Sequence, residues 1–127
     1  MIEARLQGFN VVMTDGYRTF AEQNTLYAQG RTTPGSVVTN ARGGFSNHNF
    51  GLAFDVVEIV DGVAQYNAQS YDRFKDLGIS RGFKWGGNWT NPVDMPHFQN
   101  MFGHTITQLR DKINSGDVDS SGYVRFR

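Results

Sequence analysis

Apolar residues along this chain fall into short strand-like runs separated by stretches with helical spacing. Residues 9–14 and 52–60 are rich in Val, Phe and Ile, which favour strands. Residues 19–29 and 70–81 and the set Ile106, Leu109 and Ile113 repeat apolar side chains at the three-to-four-residue spacing of a helix. The pattern therefore predicts strands and helices in alternation.

Cap and turn residues predict where these elements begin and end. Thr19 followed by Glu22 is the spacing of a capping box, and Gly30 is expected to end that helix. Asp61-Gly62 predicts a hairpin between residues 56–60 and 63–66. Residues 1–7 are expected to be the end of a helix that Gly8 closes.

Composition excludes several classes of protein. The chain has 127 residues, a size that fits one domain, and its twelve basic and twelve acidic residues balance. This neutrality argues against nucleic acid as a partner and against a strongly basic wall-binding patch. We expect neither a membrane span nor a secretory signal, because the apolar runs are short and the segment after Met1 mixes charged with apolar residues.

Two histidines and one aspartate are candidate metal ligands. His48 and Asp55 are seven residues apart, and His97 follows Pro96 at an expected strand start. Two imidazoles and a carboxylate make a zinc site with one coordination position open to water, which indicates a hydrolase. Gly51 favours a turn, so His48 is expected on the loop that enters the strand containing Asp55. Taken singly, a histidine of this kind is more often a surface or hydrogen-bonded residue.

Asp94, three residues before His97, is the candidate general base. A carboxylate beside a zinc-activated water can accept its proton and pass it to the leaving amine. The alternative is a turn aspartate, since Pro92 and Pro96 flank it. Residues 31–47, rich in Gly, Thr, Ser and Asn, form a long loop that delivers His48, and we interpret it as one wall of a substrate cleft.

Five ordered blocks resemble the LAS zinc peptidases, a family that includes D-alanyl-D-alanine carboxypeptidases, D-Ala-D-Ala dipeptidases and L-alanyl-D-glutamate peptidases. Two blocks are the ligand motifs Ser46-x-His48-x6-Asp55 and Asp94-x-x-His97. The other three match the L-alanyl-D-glutamate branch of phage endolysins and bacterial wall enzymes, and they cover residues 16–32, 38–44 and 82–89. The resemblance extends from about residue 8 to residue 99 and leaves residues 100–127 as a C-terminal helix and tail.

The resemblance implies roles for individual residues. His48, Asp55 and His97 match the zinc ligands, and Asp94 matches the catalytic acid/base. Arg18 matches a basic residue that faces the scissile carbonyl oxygen, where a fixed guanidinium stabilises the oxyanion. The same ligands also accept manganese or cobalt, so zinc is a preference.

Further positions carry weaker implications. Ser46 and Gln23 match polar positions near the substrate. Trp85 is a candidate for stacking on substrate, although a tryptophan of this kind is more often part of a core. Gln99 stands where many relatives have Glu, which leaves a hydrogen-bond acceptor but no negative charge. His104 matches no family position and is expected at the surface.

The tail supports a separate hypothesis. Asp117, Asp119 and Ser121, followed by Gly122, resemble the first half of a calcium loop. The acidic residue expected at position twelve is absent from the chain. The alternative is a polar turn before a terminal strand.

The resemblance implies an α+β fold with a small antiparallel sheet and flanking helices, the LAS fold, in a single catalytic domain over residues 1–127. It implies zinc-dependent hydrolysis of the L-Ala–D-Glu bond of the peptidoglycan stem peptide. We expect a monomeric phage endolysin that stays in the host cytoplasm until a membrane lesion releases it to the wall. The alternatives are a D-Ala-D-Ala carboxypeptidase of the same family and a non-catalytic zinc module that binds the wall.

Overall fold

A computed structural model describes residues 7–126. The helix end predicted over residues 1–7 falls almost entirely outside that range. The described elements are five strands, β1 (Val11–Asp15), β2 (Ala53–Val60), β3 (Val63–Ala64), β4 (Lys84–Trp85) and β5 (His97–Gln99), and three α-helices, α1 (Phe20–Ala28), α2 (Ala68–Ser80) and α3 (Ile106–Asn114). Two short 3-10 helices cover Asn47–Phe50 and Gly86–Asn88. None of the helices within residues 7–126 has the length and apolar character that a membrane crossing requires.

The strands form one antiparallel sheet in the order β1-β2-β5-β4, with β3 paired to the far end of β2. The long strand β2 is central because it pairs with β1, β3 and β5. This small antiparallel sheet with helices confirms the expected α+β class. The predicted hairpin is present, with Asp61 and Gly62 both at positive φ, but its second strand is only two residues long.

The chain divides into two compact units. The first contains the described part of residues 1–16 and Ala53–Asn100, and therefore the whole sheet and α2. The second contains Tyr17–Leu52 and the described residues after Met101, and therefore α1, α3 and the 3-10 helix at Asn47–Phe50. The expectation of a single domain stays a prediction.

The core of the first unit lies between β1, β2, β4, β5 and α2. It is built from Val11, Val56, Tyr71, Phe74, Trp85 and Phe98. The hydroxyl of Tyr71 donates a 2.8 Å hydrogen bond to the carbonyl oxygen of Val56. Burial raises the pKa of Tyr71, with smaller contributions from Tyr66, Asp55 and Asp94, so this hydroxyl keeps its proton and remains a donor.

A buried carboxylate in β2 is an exception to the apolar strand that the sequence predicts. Glu58 is 4% exposed, and its Oε1 accepts a 2.7 Å hydrogen bond from Ser70 Oγ. The guanidinium of Arg73 contacts the same oxygen. Both partners lie on α2, so the carboxylate joins that helix to the strand, as a buried charge requires.

The second unit has a smaller core made of Phe50, Leu52, Leu109 and Val124. The capping box at the start of α1 is confirmed, because Thr19 Oγ1 accepts from Glu22 N at 3.0 Å and Thr19 N donates to Glu22 Oε1 at 3.1 Å. Leu109 is fully buried, as the predicted amphipathic face of α3 requires.

Candidate active site

Asp55 and His97 lie directly opposite each other on β2 and β5. Side chains of directly opposed residues project from the same face of a sheet, and here His97 Nδ1 is 3.4 Å from Asp55 Oδ1. Oδ1 of Asp55 is buried, and His97 is 6% exposed. The sheet register therefore brings an imidazole nitrogen and a carboxylate oxygen together.

Gln99 and Trp89 hold the imidazole of His97 from other sides. The ring nitrogen Nε2 is 2.8 Å from Gln99 Oε1, and the ring centroids of Trp89 and His97 are 5.0 Å apart. Because Gln99 Oε1 can only accept, this hydrogen bond places a proton on Nε2 and leaves Nδ1 as the ring nitrogen that faces Asp55. The neutral Gln99 thus supplies the acceptor that a glutamate would supply, without its charge.

Asp94 lies on the turn before β5, with Oδ2 3.9 Å from His97 Nδ1. Its side chain is 44% exposed, compared with 23% for Asp55. The turn is fixed by hydrogen bonds from Asp94 N to Gly86 O at 2.9 Å and from His97 N to Asp94 O at 3.2 Å. A Cβ on Gly86 would lie 2.2 Å from Asp94 O, so only glycine allows this approach. Asp94 is therefore adjacent to the two ligand candidates and more accessible than Asp55.

In the second unit, His48 lies within the 3-10 helix Asn47–Phe50, in the segment that the sequence predicted as a loop before β2. Ser46 caps this helix, and its Oγ accepts a 3.3 Å hydrogen bond from His48 N. Gly51 ends the helix at a φ of 72°, the left-handed conformation that glycine favours. His48 is 5% exposed, so its ring is fixed by burial as well as by the cap.

Asn49 organises the backbone around His48, and the sequence analysis did not identify it. Its Oδ1 accepts from Gly44 N at 3.0 Å and from Ser46 N at 3.2 Å. Its Nδ2 donates to Arg18 O at 2.9 Å, while Arg18 N donates to His48 O at 2.9 Å. The signal was present in the Ser46-x-x-Asn49 spacing, which forms a capping box here.

Gln23 holds the side chain of Arg18. Arg18 Nη1 donates to Gln23 Oε1 at 2.6 Å, and Gln23 Nε2 donates to Ala41 O at 2.8 Å and Thr39 Oγ1 at 3.4 Å. Gln23 has no exposed surface, so its role in this structure is to position Arg18. Substrate contact by Gln23 or Ser46 stays a prediction.

Trp85 has the burial of a core residue, and its contact with substrate stays a prediction. Trp85 is 6% exposed, belongs to the core of the first unit, and donates its indole N–H to Met95 O at 2.7 Å. These contacts match the core alternative, and the indole hydrogen bond fixes Met95 in the turn before β5. Of the two tryptophans, Trp89 lies closer to the chemistry because it contacts His97.

The tail adopts the turn that was the alternative to a calcium loop. Asp117 Oδ2 pairs with Lys112 Nζ at 2.8 Å. Asp119 Oδ1 accepts hydrogen bonds from Ser121 N at 2.8 Å and Tyr123 N at 3.0 Å. A calcium ion at Asp117, Asp119 and Ser121 is unsupported, because an ammonium and backbone amides already occupy these oxygens. His104 is partly exposed, and its Nδ1 bonds to Phe102 O at 2.9 Å.

The first unit offers a carboxylate oxygen of Asp55 and an imidazole nitrogen of His97 that lie 3.4 Å apart, and the second unit offers the buried imidazole of His48. Two imidazole nitrogens and one carboxylate oxygen match the protein ligands of catalytic zinc sites, in which the fourth position takes water or substrate. The donor set therefore fits a zinc ion.

Comparison with known proteins agrees with this site. Residues 39–100, which contain all three ligand candidates and Asp94, match the family model described as D-alanyl-D-alanine carboxypeptidase. This segment of the chain is therefore similar to that peptidase family, and the fold is similar to that of the LAS-type metallopeptidases.

Its relatives include the peptidoglycan L-alanyl-D-glutamate endopeptidase CwlK of Bacillus subtilis, which is 40% identical over 104 residues. That match covers 73% of this chain and 62% of CwlK, so the chain spans less than two thirds of that relative. Among solved structures, the L-Ala D-Glu endopeptidase ChiX of Serratia marcescens has a TM-score of 0.54 at 25% identity, covering 74% of this chain and 68% of ChiX. The D,D-pentapeptidase VanY in complex with Zn(II) shares the fold, with a TM-score of 0.52 at 20% identity over 91% of this chain and 72% of VanY.

Proposed function

We propose that this chain hydrolyses the L-Ala–D-Glu bond of the peptidoglycan stem peptide with a zinc ion held by His48, Asp55 and His97. The observation that carries the proposal is the pairing of Asp55 Oδ1 with His97 Nδ1 at 3.4 Å, with Asp94 Oδ2 3.9 Å from the same nitrogen. The choice of bond is supported by the likeness to CwlK and to ChiX, whose names state that bond.

A zinc ion at these ligands supplies a Lewis acid that polarises the scissile carbonyl and lowers the pKa of a bound water. Asp94 is the proton carrier of this scheme. Its carboxylate is near His97 Nδ1 but is not needed as a ligand, and its partial exposure leaves it accessible to water and substrate. It accepts the proton of the attacking water and donates it to the amine of D-Glu as the bond breaks.

Arg18 is proposed to stabilise the oxyanion. Its backbone is fixed on both sides, by His48 O and by Asn49 Nδ2, and its guanidinium is fixed by Gln23. A fixed guanidinium favours the transition state because no reorganisation is needed when charge develops on the carbonyl oxygen. The rigidity of this residue relative to His48 supports a catalytic role over that of an ordinary surface arginine.

Gln23→Met is expected to lower kcat roughly 10- to 100-fold, with a smaller change in KM. The substitution keeps the length of the side chain but removes the acceptor of Arg18 Nη1 and the donor to Ala41 O. A small displacement of a catalytic group can cost about two orders of magnitude in rate. Steady-state kinetics on a defined muropeptide measures both constants.

Gln29→Met is the matched control, because Gln29 follows the same helix and its Nε2 bonds to a loop carbonyl, Ser36 O, at 3.0 Å. It should leave kcat unchanged. Equal losses in the two variants would show that Gln23 acts through general stability and not through Arg18.

Two other functions remain as candidates. The matching family model is described as a D-alanyl-D-alanine carboxypeptidase, which keeps the chemistry and moves the bond. A non-catalytic zinc module that binds the wall would need the three ligands but would have no use for Asp94 beside them. The arrangement of Asp94 therefore favours an enzyme.

Digestion of purified cell walls separates these functions. Metal-replete, chelated and zinc-restored protein are compared, with new amino groups and product masses recorded together. New N-terminal D-Glu that appears only with metal supports the proposed bond. Release of D-Ala alone identifies a carboxypeptidase, and zinc binding at one equivalent without any cleavage identifies a binding module.

We further propose that the protein acts as a monomeric phage endolysin held in the host cytoplasm until the membrane is breached. Its support is the resemblance of the motif blocks to phage endolysins. Expression in a bacterial host, with and without a separate agent that permeabilises the membrane, tests this role. Rapid lysis that depends on permeabilisation is the expected result, and lysis without it would contradict the role.

A further inference from the structure

Two arginines of the second unit share one aromatic ring. The guanidinium carbon of Arg110, on α3, lies 4.0 Å from the ring centroid of Phe45, and that of Arg42 lies 5.3 Å from it. Phe45 is 42% exposed, and Arg42 is exposed as well. The three side chains, called here the Arg42–Phe45–Arg110 cluster, concentrate two positive charges at an accessible place.

The backbone fixes this cluster. Phe45 N donates to Arg42 O at 2.9 Å, which closes a turn and places the two residues side by side. Inside the turn, Gly43 N donates to Asn24 Oδ1 at 2.8 Å, and a Cβ on Gly43 would lie 2.4 Å from Phe20 O. The turn therefore packs against α1, and this contact fixes the backbone that carries Phe45.

No acidic side chain among the described residues pairs with the two guanidinium groups of the cluster. A guanidinium stacked on a ring keeps the N–H groups on its edge available for a carboxylate, to which it can donate two parallel hydrogen bonds.

Arg31 gives a useful contrast within the same unit. It also stacks on a ring, 3.9 Å from the centroid of Tyr27, but it donates to Tyr27 O, Thr39 O and Asn40 Oδ1. These bonds hold the loop at Thr39 and Asn40 against the end of α1. Arg42 and Arg110 also lie over a ring, but within residues 7–126 their guanidinium groups make no such bonds, so they are available to a ligand.

We propose that the Arg42–Phe45–Arg110 cluster binds the carboxylate that D-Glu retains in the stem peptide. This inference rests on the proposed function. Glutamate has two carboxyl groups, and only one of them forms the amide bond to the next residue of the stem peptide. The other carboxyl group places a negative charge next to the L-Ala–D-Glu bond. Phe45 is three residues from His48, which limits their separation to roughly 10 Å. Phe45 is therefore close enough to His48 for the cluster to contact a carboxylate next to the scissile bond.

The test compares two synthetic stem peptides, one with the D-Glu carboxylate free and one with it converted to a carboxamide. The parent zinc-loaded protein is expected to show a KM for the free acid about 10-fold or more below that for the amide, since a guanidinium binds a carboxylate more strongly than a neutral carboxamide. The double variant Arg42→Gln/Arg110→Gln should lose this preference through KM, with kcat nearly unchanged. Arg125→Gln, at an exposed arginine of the same unit, should keep it.

A binding arm separates this inference from the proposed function. Metal-free protein is titrated with a dipeptide that begins at D-Glu, as free acid and as amide, and binding is followed by NMR shifts of the Phe45 ring. Preference for the acid that disappears in the double variant supports the site even if no L-Ala–D-Glu cleavage is found. Equal binding of acid and amide, or an unchanged preference in the double variant, overturns it.

Discussion

Removal of the metal, or of His97 by substitution with Ala, is expected to reduce wall hydrolysis by roughly four orders of magnitude or to below detection. His97 is the ligand candidate whose surroundings are best defined. Its Nδ1 faces Asp55 at 3.4 Å, its Nε2 is held by Gln99 at 2.8 Å, and Trp89 contacts its ring. Without this imidazole only two protein ligands remain, which is fewer than catalytic zinc sites use. Activity on purified walls and zinc content after gel filtration measure the two effects together.

His104→Ala is the matched control for this experiment. His104 is a partly exposed imidazole bonded to Phe102 O, and its loss should change neither zinc content nor rate. Added zinc should restore the chelated parent protein fully and His97→Ala hardly at all. A His97→Ala protein that retains one zinc and the parent rate would remove His97 from the ligand set.

Gln99 allows a finer test of the same ligand. Gln99→Glu keeps an acceptor for His97 Nε2 and adds a negative charge, which should tighten zinc binding by up to about 10- to 100-fold, the range found when such supporting partners are altered. Competition with a chromogenic chelator measures this affinity directly. Weaker binding in Gln99→Glu would show that the amide, not the charge, is what this site requires.

The elements that sequence reasoning located best depend on local chemistry. The capping box of Thr19 and Glu22 and the turn at Asp61-Gly62 need only nearby residues, so spacing alone predicts them. The pairing of Asp55 with His97 is different, because it joins residues far apart in sequence. The family motifs indicated it, whereas the strand pattern gave no register.

Buried polar residues were the main features that the sequence did not reveal. Gln23, Asn49 and Glu58 look like surface residues in the sequence, yet each is nearly or fully buried. Their burial depends on partners supplied by the fold, such as Arg18 for Gln23 and Ser70 for Glu58. For Trp85 the sequence left two roles open, because an aromatic ring beside glycines is typical of both a binding surface and a core.

Asp94→Asn is expected to lower kcat roughly 10²- to 10⁴-fold while zinc content and fold are retained, since proton transfer by a positioned group contributes about that much. Asparagine keeps the shape of the side chain and the backbone bonds to Gly86 and His97, but it cannot accept the proton of water.

Asp55→Asn should behave differently, because it removes ligand charge and should lower zinc content as well. Asp72→Asn, at an exposed aspartate of α2 paired with Lys75, is the control for loss of a carboxylate elsewhere in the same unit. Muropeptide kinetics with metal analysis on all three variants separates proton transfer from metal binding. Full zinc content together with the parent kcat in the Asp94→Asn protein would show that Asp94 is not the proton carrier.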